Sequence, residues 1–176
     1  MASGYNLIMK KLLTFAFLLL TFALTAFAGT QVLFSPKGGC TDAIVKQVEQ
    51  STKTIDIMMY SFSSRPIIQA LDKAKERSVV IRVLLDKGQE TQKYAKGRYL
   101  AARGIAVKYD TGKGLMHNKV GIFDGKLMFT GSFNWTAQAE NNNAENLLLI
   151  DDPALISKFQ ERFDQLWVTG RTPATQ

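Results

Sequence analysis

His117-Asn118-Lys119-Val120-Gly121-Ile122-Phe123-Asp124 is the most informative stretch of this chain, and Gly131-Ser132-Phe133-Asn134 and Glu145 follow close behind it. Two strands are expected between Leu115 and Gly131, joined at Asp124-Gly125, a strong short-range signal for a hairpin turn. Successive side chains of a strand point to opposite faces, so His117 and Lys119 are expected to share a face, an imidazole beside a fixed cation. Asp124 lies on the opposite face of a regular strand and suits the turn, so it is read as structural.

Outward from this hairpin, short apolar runs alternate with helical patterns, the mark of an α/β layered domain. Gln31–Phe34 reads as a strand, Ser35–Gly39 as a loop, and Asp42 as the N-cap of a helix burying Ile44, Val45 and Val48. Thr54–Phe62 is a second strand. Pro66 suits the first turn of a helix carrying Ile67, Ile68, Leu71 and Ala74, and Ser78–Leu85 is an apolar third strand. Thr91–Ala102 reads as a polar surface helix ended by Gly104, and Ile105–Tyr109 as a strand. With the hairpin and a further strand at Asn146–Ile150, the sheet is mixed. Asp152-Pro153 opens a last helix with Leu155, Ile156, Phe159, Phe163, Leu166 and Trp167 in one apolar stripe assigned to packing. The chain carries no internal repeat, and the tail after Gly170 reads as a frayed end.

His117, Lys119 and Asp124 form an H-x-K-x-x-x-x-D motif, and with Gly131-Ser132-x-Asn134 and Glu145 the chain resembles the phospholipase D superfamily. Singly, His117 is an ordinary polar strand residue and Lys119 with Glu145 a solvated ion pair; the linked elements carry the resemblance. It extends from about Gln31 to Trp167, where Tyr60-Ser61-Phe62 and Val83-Leu84-Leu85-Asp86 look like the small bacterial secreted endonucleases of that superfamily. It implies an α/β/α sandwich, a mixed sheet flanked by helices on both faces. It also implies catalysis by His117, Lys119 and Glu145, phosphate binding by Lys119, Ser132 and Asn134, and structural roles for Asp124 and Gly131.

A phosphodiester is anionic, so a site that cleaves it must neutralise the nonbridging oxygens and protonate the departing one. The resemblance makes His117 the nucleophile of a phosphohistidine intermediate, with Glu145 accepting from its other ring nitrogen to fix the tautomer. His117 is the only histidine among 176 residues. One imidazole cannot be nucleophile and leaving-group acid at once, so a homodimer sharing one active site is expected. No Asp, Glu, His or Cys cluster resembles a metal site, and neither metal nor cofactor is expected.

Lys10 and Lys11 precede an uncharged apolar run, Leu12–Ala28, that ends Ala26-Phe27-Ala28. Residues 1–28 therefore read as a signal peptide, with an alternative start at Met9, and residues 29–176 as the catalytic domain. An uncleaved membrane anchor is the alternative; cleavage implies a periplasmic or secreted protein without stable membrane association. The whole chain has 22 Lys plus Arg and 15 Asp plus Glu, net +7; removing Lys10 and Lys11 leaves 20 against 15, or +5. Cys40 is the lone cysteine, which excludes an intrachain disulfide.

The motif fixes the reaction type better than the substrate. Lys87, Lys93, Lys96, Arg98 and Arg103, with Tyr94 and Tyr99 among them, suit a groove that follows a phosphate backbone or, equally, a solvated helix face. With the basic charge and the endonuclease-like stretches, they favour a nonspecific nuclease acting on DNA, with RNA also open. The alternatives are a membrane-associated lipid hydrolase and an inactive nucleic-acid-binding protein.

Overall fold

Among the described residues, the most apolar runs form the middle of one seven-stranded sheet. A computed structural model describes residues 29–174; the expected signal segment, residues 1–28, lies outside them, as do residues 175 and 176. The elements are β1 (Gln31–Ser35), α1 (Cys40–Gln50), β2 (Thr54–Met59), α2 (Arg65–Glu76), β3 (Val80–Leu85), a 3-10 turn (Lys87–Glu90), α3 (Gly97–Ala102) and β4 (Ala106–Tyr109). They continue with β5 (Lys119–Phe123), β6 (Leu127–Gly131), α4 (Ala137–Asn141), β7 (Glu145–Ile150) and α5 (Pro153–Thr169).

The strand order is β1-β7-β6-β5-β2-β3-β4. β2, β3 and β4 are parallel, whereas β2 to β5, β5 to β6, β6 to β7 and β7 to β1 are antiparallel. The sheet is thus mixed, with helices on both faces. On one face α1, α2, α3 and α4 bury Ile44, Val48, Ile67, Leu71, Leu100 and Ala139 against Ile55, Ile57, Val83 and Phe129. On the other, Ile156 and Phe163 of α5 close over Met58, Leu84, Val120, Ile122 and Met128. Period-2 alternation along the strands divides these two cores. Among the described residues no helix is long and apolar enough to cross a membrane.

α5 is also pinned by charge. Asp56, buried in β2, receives both arms of the Arg82 guanidinium at 2.7 Å, and Gln160 of α5 donates to the same carboxylate at 2.8 Å. Breaking one side of such a buried pair would strand the other charge.

Several boundaries differ from those read in the sequence. Asp42 is in the first turn of α1 rather than capping it. Gly39, at φ 81°, occupies the N-cap, and the Glu140 carboxylate of α4 accepts from Gly39 N and Thr41 N at 3.2 and 2.7 Å. Of the expected helix Thr91–Ala102 only the short α3, Gly97–Ala102, is helical, and the 3-10 turn ends before it at Glu90. Residues 91–94 are all exposed, so a helix there would have no face to bury. Leu155 does not share the buried stripe of α5 and is 40% exposed. The strand expected to Phe62 stops at Met59, and α4 had no counterpart in the periodicity.

Candidate active site

The topology gathers chain ends at one rim of the sheet. β2 and β6 finish there while their antiparallel neighbours β5 and β7 begin there. This brings Tyr60, His117, Lys119, Ser132, Asn134 and Glu145 to one locality, although they span 86 positions from 60 to 145. His117, Lys119, Gly131, Ser132, Asn134 and Glu145 line a cavity of about 360 Å³.

His117 lies just before β5 and is exposed, whereas Lys119 is the first residue of that strand and buried. The Lys119 ammonium donates to the His117 carbonyl at 2.8 Å and lies 3.0 Å from His117 Nδ1. It also sits over the Tyr60 ring, 4.8 Å from the centroid, and that ring packs against the imidazole with centroids 4.3 Å apart. Burial holds the Lys119 ammonium below the usual lysine range, and the Glu145 carboxylate works against that shift.

An ammonium has donors only, so Nδ1 must be the acceptor in this contact, which puts the proton of a neutral ring on Nε2. The expected hydrogen bond from His117 to Glu145 is not formed: Lys119 occupies Nδ1, and Glu145 Oε1 accepts from Asn143 Nδ2 at 3.0 Å. Glu145 remains on the wall of the cavity that His117 also lines.

Gly131 makes the turn from β6 possible. Its φ is 142°, and a Cβ there would come 2.3 Å from the Asn146 carbonyl oxygen. That close approach lets Ser132 N and Phe133 N both donate to Asn146 O at 3.2 Å, while Ser132 Oγ accepts from Asn146 N at 3.1 Å. The hydroxyl proton of Ser132 is left for another acceptor. Asn134 Oδ1 is buried without a partner, so the amide is not consumed by the fold.

Asp124 lies away from the cavity. At φ 52° in the β5–β6 turn, it accepts from Thr52 N, Lys53 N and Thr54 N at 2.9, 2.8 and 2.9 Å, and from Thr52 Oγ1 at 3.2 Å. Partial burial pushes its carboxyl up, but these donors outweigh it and hold the group below the ordinary carboxylate range.

Two contributors lie in stretches that carried the resemblance but were given no role at the site. Tyr60 had no local signal for contact with the imidazole. Asp86, 3% exposed, accepts from Gly88 N at 2.8 Å and Met116 N at 2.9 Å, anchoring the segment that delivers His117. A buried acid at the end of an apolar strand was the available clue.

The basic residues do not share one helix. Lys87 donates to the Gly112 and Lys113 carbonyls, Lys93 lies 5.5 Å from the Tyr94 ring centroid, and Arg98 is exposed on α3. Lys96 lines a separate cavity with Arg65 and Tyr99. Among the described residues no group of three His, Cys, Asp or Glu side chains is placed to hold a metal ion.

The family model described as cardiolipin synthase, PLD-like domain, matches residues 44–167. Phospholipase D of Rickettsia prowazekii is 41% identical over 139 residues, which cover 79% of this chain and 66% of that protein. Mitochondrial cardiolipin hydrolase of Xenopus laevis is 32% identical over 124 residues, covering 70% of this chain and 59% of that protein. The chain thus spans just under two thirds of the first of these relatives and less of the second. Among solved structures, Nuc of Salmonella typhimurium, a phospholipase D family member, has a TM-score of 0.76 at 33% identity and covers 81% of this chain and 96% of its own. NucT of Helicobacter pylori, at 23% identity and TM-score 0.77, shares the fold. Matched by that family model from the first helix to the last, and carrying the motif at the rim of the expected sheet, the chain belongs to the phospholipase D-like family.

Proposed function

We propose that this chain is an exported, metal-independent phosphodiesterase that cleaves nucleic acid through His117 and acts as a homodimer. The observation that carries the reading is a buried lysine 3.0 Å from the only imidazole of the chain, facing a cavity lined by Ser132 and Asn134.

In this reading a diester phosphate draws the Lys119 ammonium from Nδ1 to one nonbridging oxygen, and Ser132 and Asn134 donate to the other. The ring proton then resides on Nδ1 with Glu145 as acceptor, freeing the Nε2 lone pair to attack phosphorus. The N–P bond forms as the bond to the leaving oxygen breaks, and a second imidazolium protonates that oxygen. The same group then takes a proton from water, which attacks phosphorus and releases His117.

The second imidazole must come from a partner subunit. Exposed apolar side chains support pairing: Leu115, two positions before His117, is 63% exposed, and Phe34 on the edge strand is 62% exposed. Fixed charge from Lys119 fills the electrostatic role of a metal ion elsewhere.

The basic balance of residues 29–176 and the endonuclease-like sequence stretches favour nucleic acid. The names of the Rickettsia and Xenopus relatives favour a second reading, hydrolysis of an anionic phospholipid. Plasmid nicking assayed beside hydrolysis of cardiolipin-containing vesicles separates them. Nicking with little lipid turnover is expected; lipid turnover alone would overturn the nuclease reading.

A further inference from the structure

A second cavity, about 390 Å³, is lined by Arg65, Ile68, Gln69, Lys96 and Tyr99. It lies between α2 and α3, and α2 begins just beyond the strand end where Tyr60 meets His117. From Tyr60 to Arg65 the chain can extend about 17 Å at most. Midway, Ser63 N and Ser64 N both donate to Trp135 O at 2.9 Å, and Trp135 follows Asn134 of the first cavity. The two cavities therefore open at the same rim.

Its lining is built for something flat and anionic. The Tyr99 ring is 46% exposed, yet its hydroxyl donates to Asp72 Oδ2 of α2 at 2.9 Å, which fixes the ring. Asp72 is further matched by Arg103 Nε at 3.5 Å, so this acid adds little free negative charge. Ile68 supplies an apolar floor. The Arg65 and Lys96 side chains make no hydrogen bond or ion pair among the described residues. A ring held still and two uncommitted cations around one hollow match a base and its phosphate.

We propose that this cavity is an accessory nucleotide subsite, in which an unpaired base stacks on Tyr99 and a backbone phosphate lies between Arg65 and Lys96. It rests on the nuclease reading and adds to it a strand state. Bases within a duplex have their faces covered by neighbours, so only a single-stranded stretch can use Tyr99. At the 3.4 Å per nucleotide of duplex, the limit of about 17 Å between Tyr60 and Arg65 corresponds to about five nucleotides, and fewer when the strand is extended.

The test measures binding to the cleavage-dead His117→Ala protein of a single-stranded oligonucleotide carrying 2-aminopurine. Adding Tyr99→Ala should weaken binding about tenfold and remove the stacking quench of the fluorophore, whereas Tyr99→Phe, which keeps the ring, should retain both. Replacing Arg65 and Lys96 together by glutamine should shrink the slope of log affinity against log salt by about 0.7, the share of one phosphate. Duplex affinity should not respond to Tyr99. If the parent protein binds and wild type cleaves the oligonucleotide but Tyr99→Ala changes neither affinity nor quench, the subsite is refuted while the nuclease reading stands. If the parent binds no nucleic acid, both fall.

Discussion

Replacing Asp124 by alanine should make the protein easier to unfold without slowing the reaction. The carboxylate accepts three backbone N–H groups and one hydroxyl from Thr52–Thr54, joining the β5–β6 turn to the start of β2. Hydrogen bonds to a charged group contribute about 1.5–3 kcal/mol each when well protected, but these are solvent-exposed and share one acceptor group. Alanine at φ 52° adds roughly 1–2 kcal/mol of backbone strain. A total loss of about 3 kcal/mol follows, or about 6–12 °C in Tm for a domain of this size. Asparagine, which tolerates that φ, should lose about half as much. The Asp124 carboxyl lies below its ordinary 3.8 in the folded state, so its contribution is complete above about pH 4 and disappears as pH falls through the lowered folded value. Thermal melts of wild type and Asp124→Asn should therefore converge in strong acid, with Asp124→Ala still lower by its backbone strain, while kcat on a small diester stays within about twofold. Unchanged stability at pH 7, or a folded Asp124→Asn protein without activity, would refute the structural role.

Gly131→Ala should lower stability by about 2–4 kcal/mol and kcat with it, because the added Cβ would meet the Asn146 carbonyl and displace Ser132 and Asn134; melting and turnover report both. Cys40 is fully buried, and burial and Glu140 push its thiol up to about 11, so DTNB at pH 8 should label it only after denaturation. Specific activity should fall on dilution in step with the loss of dimer seen by sedimentation; constant activity of a monomer would remove the shared site.

The motif strand, the hairpin and the long helices were legible because their signals are local. Ile67, Ile68, Leu71 and Ala74 are all buried as their spacing implied, and Asp152 caps α5 through Ala154 N and Leu155 N. Contacts between distant residues were not legible. Glu140 caps α1 from nearly a hundred positions away, and Asp86 reaches Met116 across the β3–β5 connection. The hydrogen bond that the resemblance implied from His117 to Glu145 is not made in this structure, because the long Lys119 side chain folds back onto its own strand entry and donates to His117 Nδ1. The polar segment before α3 failed for a different reason: its spacing allowed a helix, but it had nothing to bury.

The most direct measurement is nicking of supercoiled plasmid by purified protein, in excess EDTA, with His117→Ala alongside. Relaxed circles from wild type alone are predicted, with a rate insensitive to chelator. Equal nicking by His117→Ala, or activity that vanishes with EDTA and returns with magnesium, would contradict a metal-independent reaction through His117.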